Sequence, residues 1–298
     1  MRVCSSLPAG SPSKRASPNP GRTVLLDNQP QRRNSVNTFY ISFGAGWQST
    51  ALCVMSALEW YGCPRANVAV FADTGEEPQW VYDTVDMMRE WLAQFKIHVV
   101  TVKEKRGRLG QVYIERIKGL RRSASPIPLF VKKPNDKVAM LMRGCTRDFK
   151  IRPIQKYIRE TYGKKDGVTA LLGISTDEAH RMKPSNVPWI VNQYPLIDAG
   201  VDRAFCKEIV EAAGLIMPKK SACVFCPYHS DRYWAELKQL HPEEFERAAA
   251  FDDQIRHAPG AQGPTYLHRS CRPLREIKEF GTSEIEGFGN ECAGICGV

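Results

Sequence analysis

Two hydrophobic periods alternate along the middle of the chain, and that alternation limits the folds open to it more than any other feature. "TFYISF" (38–43), "NVAVFAD" (67–73), "IHVVTV" (97–102) and "TALLGIS" (169–175) are short apolar runs rich in β-branched and aromatic residues, and they read as strands. "TALCVMSALEWYG" (50–62), "QWVYDTVDMMREWLAQF" (79–95) and "AFCKEIVEAAG" (204–214) repeat apolar residues at helical spacing, with Gly62 and Gly214 as stop signals. Strands this short, separated by helices, predict an α/β fold: a mostly parallel, Rossmann-like sheet covered by helices on both faces. Ligands of such sheets bind beyond the carboxyl ends of the strands, where the strand order reverses.

Beyond residue 215 the pattern changes. "SDRYWAELKQLHPEEFERAAAFDDQIRH" (230–257) reads as helical, whereas "APGAQGPTYLHRSC" and "GTSEIEGFGNECAGICGV" read as irregular. The expected organisation is therefore a basic tail at 1–36, an α/β domain at 37–215 and a C-terminal cysteine-containing region at 216–298. The tail holds six Lys or Arg against the single Asp27 and is rich in Pro, Ser and Asn, so it is expected to be disordered. It supplies half of the formal net charge of +10, and "KEKRGR" (103–108) and "KGLRR" (118–122) supply more. This balance suits nucleic acid, a phosphate-bearing substrate or a merely solubilising surface. No run approaches eighteen apolar residues and the start lacks a secretory h-region, so the expectation is a cytoplasmic protein with no membrane partner.

The first strand hands over to its helix through "SFGAGWQST". Glycines at 44 and 46 allow a tight turn, Ser42, Ser49 and Thr50 offer hydroxyls, and the helix start presents backbone N–H groups to an anion. An ordinary strand–helix turn with an N-cap would look the same. The stretch is neither a Walker loop, which needs "GK[ST]", nor a "GxGxxG" fingerprint.

"SFGAGWQST" resembles the "SGGKDS" phosphate loop of the adenine-nucleotide alpha-hydrolase group, the PP-loop ATP pyrophosphatases and the related adenylylsulfate and phosphoadenylylsulfate reductases. Ser42, Gly44, Gly46 and Ser49 take corresponding places, with Trp47 or Gln48 where a Lys or Asp is expected. "FADTGEEPQWVYD" resembles the reductase-type "DTG" segment, with Asp73 and Thr74 near the nucleotide. "LLGISTDEAHRMK" resembles the Gly-containing strand end, with Gly173, Asp177, Glu178 and Arg181 at the substrate mouth, and "QYPLID" resembles the "PL" segment. The resemblance implies ATP or another adenine nucleotide held by Ser42, Gly44, Gly46, Gln48, Ser49, Thr50, Asp73, Thr74 and Gly173, with Mg2+ as a candidate ion. It also implies catalytic roles for Asp73 and Arg181.

Cysteines form a second constellation. Cys145 stands at the start of an expected helix, and Cys223 and Cys226 form a C-x-x-C loop before another. Two such thiols can face one metal or cluster. The adenylylsulfate reductases bind a [4Fe-4S] cluster through a Cys-Cys pair before "K-x-x-P" and a distant C-x-x-C. Cys145, Lys150 and Pro153 match that pattern and Thr146 replaces the second cysteine, with Cys271 as the candidate fourth ligand. Three cysteines with an open iron, as in thiolating enzymes, zinc on the same four residues, and no metal at all are the alternatives. Cys53 and Cys206 fall in apolar helical patterns and read as core. Near the terminus, Cys292 with Cys296 as resolving thiol suits sulfur transfer or thiol exchange, and Glu291-Cys292 loosely resembles the attacking cysteine of the reductases.

Three functions follow as expectations. The first is an ATP pyrophosphatase-like enzyme that adenylates an acceptor, tRNA or DNA among the candidates, for iron–sulfur-dependent sulfur transfer from a sulfur donor. The second is a reductase of adenylylsulfate or phosphoadenylylsulfate that works with a thiol reductant. The third is a non-enzymatic nucleotide-binding subunit of a nucleic-acid modification system.

Overall fold

The computed structural model describes residues 37–134, 136–164 and 167–281. Five parallel strands form the central sheet in the order β3-β2-β1-β6-β7, with β1 at Thr38–Phe43, β2 at Val68–Asp73, β3 at His98–Lys103, β6 at Val168–Leu171 and β7 at Ile190–Gln193. The chain builds outward from β1 on one side and then returns to its other edge, so the order reverses between β1 and β6. This is the crevice in which an open parallel sheet binds ligands.

Alternating side chains divide the sheet between two cores, as the two-residue period of a strand requires. Ile41, Phe43, Ala69 and Phe71 face helices α1 (Trp47–Leu58), α2 (Gln79–Ala93) and α6 (Arg203–Ala212). Tyr40, Val68, Val70 and Ala72 face α4 (Arg152–Tyr162) through Ile154 and Ile158. Helices therefore cover both faces. Helix α2 shows how the sequence dictates this: Val81, Val85, Met88 and Leu92 lie on one stripe and are all buried.

A third core lies outside the sheet and joins distant parts of the chain. It combines α3 (Leu109–Ile117) and the 127–149 stretch with α7 (Asp231–Leu240) and α8 (Pro242–Gln254), around the fully buried Trp234. A small antiparallel sheet ties these segments together, with β4 (Phe130–Lys132) between β5 (Val138–Met140) and β8 (Thr265–Tyr266). The short helix α5 (Pro195–Asp198) follows β7.

Three local readings need correction. Helix α1 starts at Trp47, so Ser49 and Thr50 belong to its first turn, and it ends at Leu58 because Glu59 turns left-handed (φ 54°) ahead of a 3-10 turn at Trp60–Gly62. The 230–257 run is two helices, divided where Pro242 keeps His241 out of the helical region. The stretch read as irregular after residue 257 contains β8. Among the described residues no helix is long and apolar enough to cross a membrane.

Candidate functional site: a phosphate-type loop beside a three-cysteine cavity

The β1–α1 connection sits at the reversal point of the sheet. Ala45 adopts a left-handed conformation (φ 55°) and Gly46 is the N-cap of α1, so the turn is completed in three residues. Ser49 closes it, since its Oγ accepts from the Gly46 N–H and donates to the Gly46 carbonyl, both at 3.1 Å. Gly173, beyond β6, packs directly on the helix start. A Cβ there would lie 2.9 Å from the Ser49 nitrogen, so a side chain would push the two strand ends apart. Gln48 reaches across to the Ser175 hydroxyl at 3.5 Å.

Two polar atoms of this helix start are buried without a hydrogen-bond partner, Trp47 Nε1 and Thr50 Oγ1. Leaving such an atom unpaired costs about 1–3 kcal/mol. Ser42, Gly44, Gly46, Gln48, Ser49, Thr50 and Gly173 thus come together in one place. The Arg203 guanidinium lies over the Trp47 ring, 5.5 Å from its centroid, and brings a positive charge to a loop that has none of its own.

Asp73 ends β2 with both carboxylate oxygens engaged. Oδ1 accepts from the Gly75 N–H (2.7 Å) and the Tyr82 hydroxyl (2.9 Å), and Oδ2 pairs with Lys103 (3.0 Å). In this state Asp73 shapes the turn that carries Thr74, Glu76 and Glu77. Arg181 pairs with Glu178 at 3.0 Å on the 3-10 turn Thr176–Arg181 that follows β6. The basic segments are also largely paired: Arg106 with Glu104, Arg108 with Glu76 and Arg121 with Glu115.

Several separate stretches of chain form the second part of the site. Cys145, Cys223 and Cys226 line one small cavity of about 30 Å3, together with Thr74, Arg143, Thr146 and Lys150. Cys145 enters through a π-helical turn at Arg147–Ile151 that leads into α4, a distortion often found at functional sites. Thr74 Oγ1 lies 3.2 Å from Cys223 Sγ, and Glu77 accepts from Thr74 at 3.1 Å and pairs with Lys150 at 3.2 Å. Lys150 and Glu77 are both almost fully buried, and Glu77 Oε2 has no hydrogen-bond partner. Burial, and after it Glu77, pushes the Cys223 thiol well above its usual range, with Lys150 and Thr74 opposing the shift. His229 closes the C-x-x-C loop through a 2.9 Å bond to the Cys223 carbonyl, and burial lowers its pKa to about 3, so its ring is neutral.

Cys271 is not among the residues that line this cavity; it is buried after a turn on His268, in a left-handed conformation (φ 51°). Cys292 and Cys296 lie outside the described residues, as does the 1–36 tail. Cys53 and Cys206 are fully buried in the core, as their pattern predicts. No protein-family model matches the chain, and no curated protein matches it.

The two parts of the site adjoin. Thr74, from the turn after β2, touches Cys223, while Ser221, two residues before Cys223, lies against Gly46 of the phosphate-type loop. Sequence reasoning missed Ser221, Glu77 as a partner of Lys150, and Arg203. No spacing pattern marks any of them, because each reaches the site through the fold of a distant segment.

Proposed function

We propose that this chain is a PP-loop-type enzyme that uses ATP to adenylate an acceptor in sulfur transfer. The observation that carries the reading is the position of the glycine and hydroxyl turn. It stands at the order reversal of a parallel sheet, holds unpartnered buried polar atoms, and is one short segment away from three cysteines around a single cavity. The α1 N-terminus, with its unpaired N–H groups and positive dipole end, would hold the terminal phosphates. An acceptor nucleophile would attack the α-phosphorus, the bond to the α–β bridging oxygen would break, and pyrophosphate would leave. A sulfide-level co-substrate, hydrosulfide, would then attack the activated acceptor atom and displace AMP with no change of oxidation state. Arg203 would offset the phosphate charge that the loop itself cannot, and Arg181 lies on the 3-10 turn after β6.

Cys145, Cys223 and Cys226 are the residues that would hold a [4Fe-4S] cluster, which when bound supplies an electron- or sulfur-carrying centre. Among the described residues no group of three or more His, Cys, Asp or Glu is placed to hold a metal ion, so the cluster reading rests on three thiols lining one cavity. Thr146 stands where the pattern has a second cysteine and Cys271 is not among the lining residues, so the cavity offers three thiols.

A nucleic-acid acceptor is supported by the net charge of +10, although several cations of the 103–122 segment are spent on carboxylates. The test of the whole reading is product analysis. AMP and pyrophosphate released from ATP support it, and sulfite released from adenylylsulfate without ATP replaces it with the reductase reading.

A further inference from the structure

We infer that Ser221 is a phosphate-contacting residue of the β1–α1 loop and that it performs the role which the sequence assigns to Ser49. This inference rests on the nucleotide reading above and names the group that grips the pyrophosphate end of a nucleoside triphosphate from outside the loop. The Ser49 hydroxyl is committed to Gly46, to its N–H and its carbonyl alike. The hydroxyl that faces the turn from the other side belongs to Ser221, whose Oγ would lie 2.6 Å from a Cβ placed on Gly46. Ser221 is 5% exposed, so its hydroxyl is held against the turn rather than in solvent.

Neighbouring bonds fix the segment that carries it. The Lys220 carbonyl accepts from Trp80 Nε1 at 3.1 Å, and the Val224 N–H donates to the Glu76 carbonyl at 2.8 Å. The hydroxyl is therefore pre-positioned at the N-terminus of a twelve-residue helix whose first turn already holds two unpartnered buried polar atoms, Trp47 Nε1 and Thr50 Oγ1. A phosphate at this turn would meet the helix N–H groups with the Ser221 hydroxyl beside them. The same short segment continues into Cys223, which would link a nucleotide in the loop to the C-x-x-C.

The full chain is tested as wild type, Ser221→Ala, Gly46→Ala and the double variant, by calorimetric titration with ATP and by thermal unfolding. Ser221→Ala should weaken ATP binding about tenfold, the loss of one hydrogen bond to a charged group, with an unchanged unfolding midpoint. Gly46→Ala should lower the midpoint through its contact with Ser221 Oγ. Ser221→Ala should restore that midpoint, because the remaining Ser221 Cβ lies 3.6 Å away, an ordinary contact, while ATP affinity stays low. An unchanged ATP affinity in Ser221→Ala, or a double variant no more stable than Gly46→Ala, overturns the inference. A wild-type chain that binds no ATP removes the nucleotide reading and the inference together, which separates the two failures.

Discussion

The phosphate-type loop and the cysteine cavity are neighbours built in opposite ways. One contiguous stretch, Ser42 to Thr50, makes most of the loop, with Gly173, Ser175, Arg203 and Ser221 added from elsewhere. The cavity is lined from five stretches, namely the turn after β2, Leu109 of α3, Ile127 and Pro128, residues 143–150 and the C-x-x-C loop; it sits against the third core, and a buried Lys150–Glu77 pair joins two of the stretches. A site made by one turn inherits the stability of its strand and helix, whereas a site assembled from several segments depends on the contacts between them. Damage to those contacts should open the cavity and leave the loop intact.

The largest effect is expected at the buried ion pair. Removal of one partner, as in Lys150→Met or Glu77→Gln, should cost about 3–5 kcal/mol because a charge stays buried alone, and the double variant should cost far less than the sum. Urea unfolding of the four proteins measures this. Equal, additive losses would show that the pair does not join the segments. Next in size is Gly173→Ala, which places a Cβ 2.9 Å from the Ser49 nitrogen and should cost about 1–3 kcal/mol by overpacking. It should weaken ATP binding and leave the iron content alone, the reverse of the result for the cysteine variants.

Metal content sharpens the comparison further. Anaerobically purified protein should hold about four irons and four sulfides per chain, as a [4Fe-4S] centre requires. Ala at 145, 223 or 226 should remove them, and Cys271→Ala should retain them. About one zinc without sulfide would sink the cluster reading. The smallest effect is expected from Ser49→Ala, about 1 kcal/mol of stability from a lost turn closure, with ATP affinity reduced less than in Ser221→Ala.

The sheet was legible because its signals are local. Alternating periods gave four of the five strands, β7 with its four residues being missed, and "SFGAGWQST" marked the turn that the topology then placed at the reversal point. Legibility ended where structure depends on partners. Strands β4, β5 and β8 have three, three and two residues, too few for any period, so the small sheet that ties residues 130–140 to 265–266 left no pattern. The C-x-x-C spacing pairs Cys223 with Cys226 and the resemblance joins Cys145 to them, and the fold gives all three one cavity. At Asp73 the motif suggests a nucleotide contact, and the fold adds what the sequence does not show, that its carboxylate holds Gly75, Tyr82 and Lys103.

The central claim is that one fold places an ATP-gripping turn against a cluster-binding cavity. Its most direct test is titration of the anaerobically purified, iron-loaded chain with ATP, followed by product analysis in the presence of a nucleic-acid or small acceptor. The account predicts binding of about one ATP per chain, as one loop requires, and release of AMP and pyrophosphate that disappears in Gly46→Ala. A chain that binds no ATP, yet releases sulfite from adenylylsulfate, would contradict it.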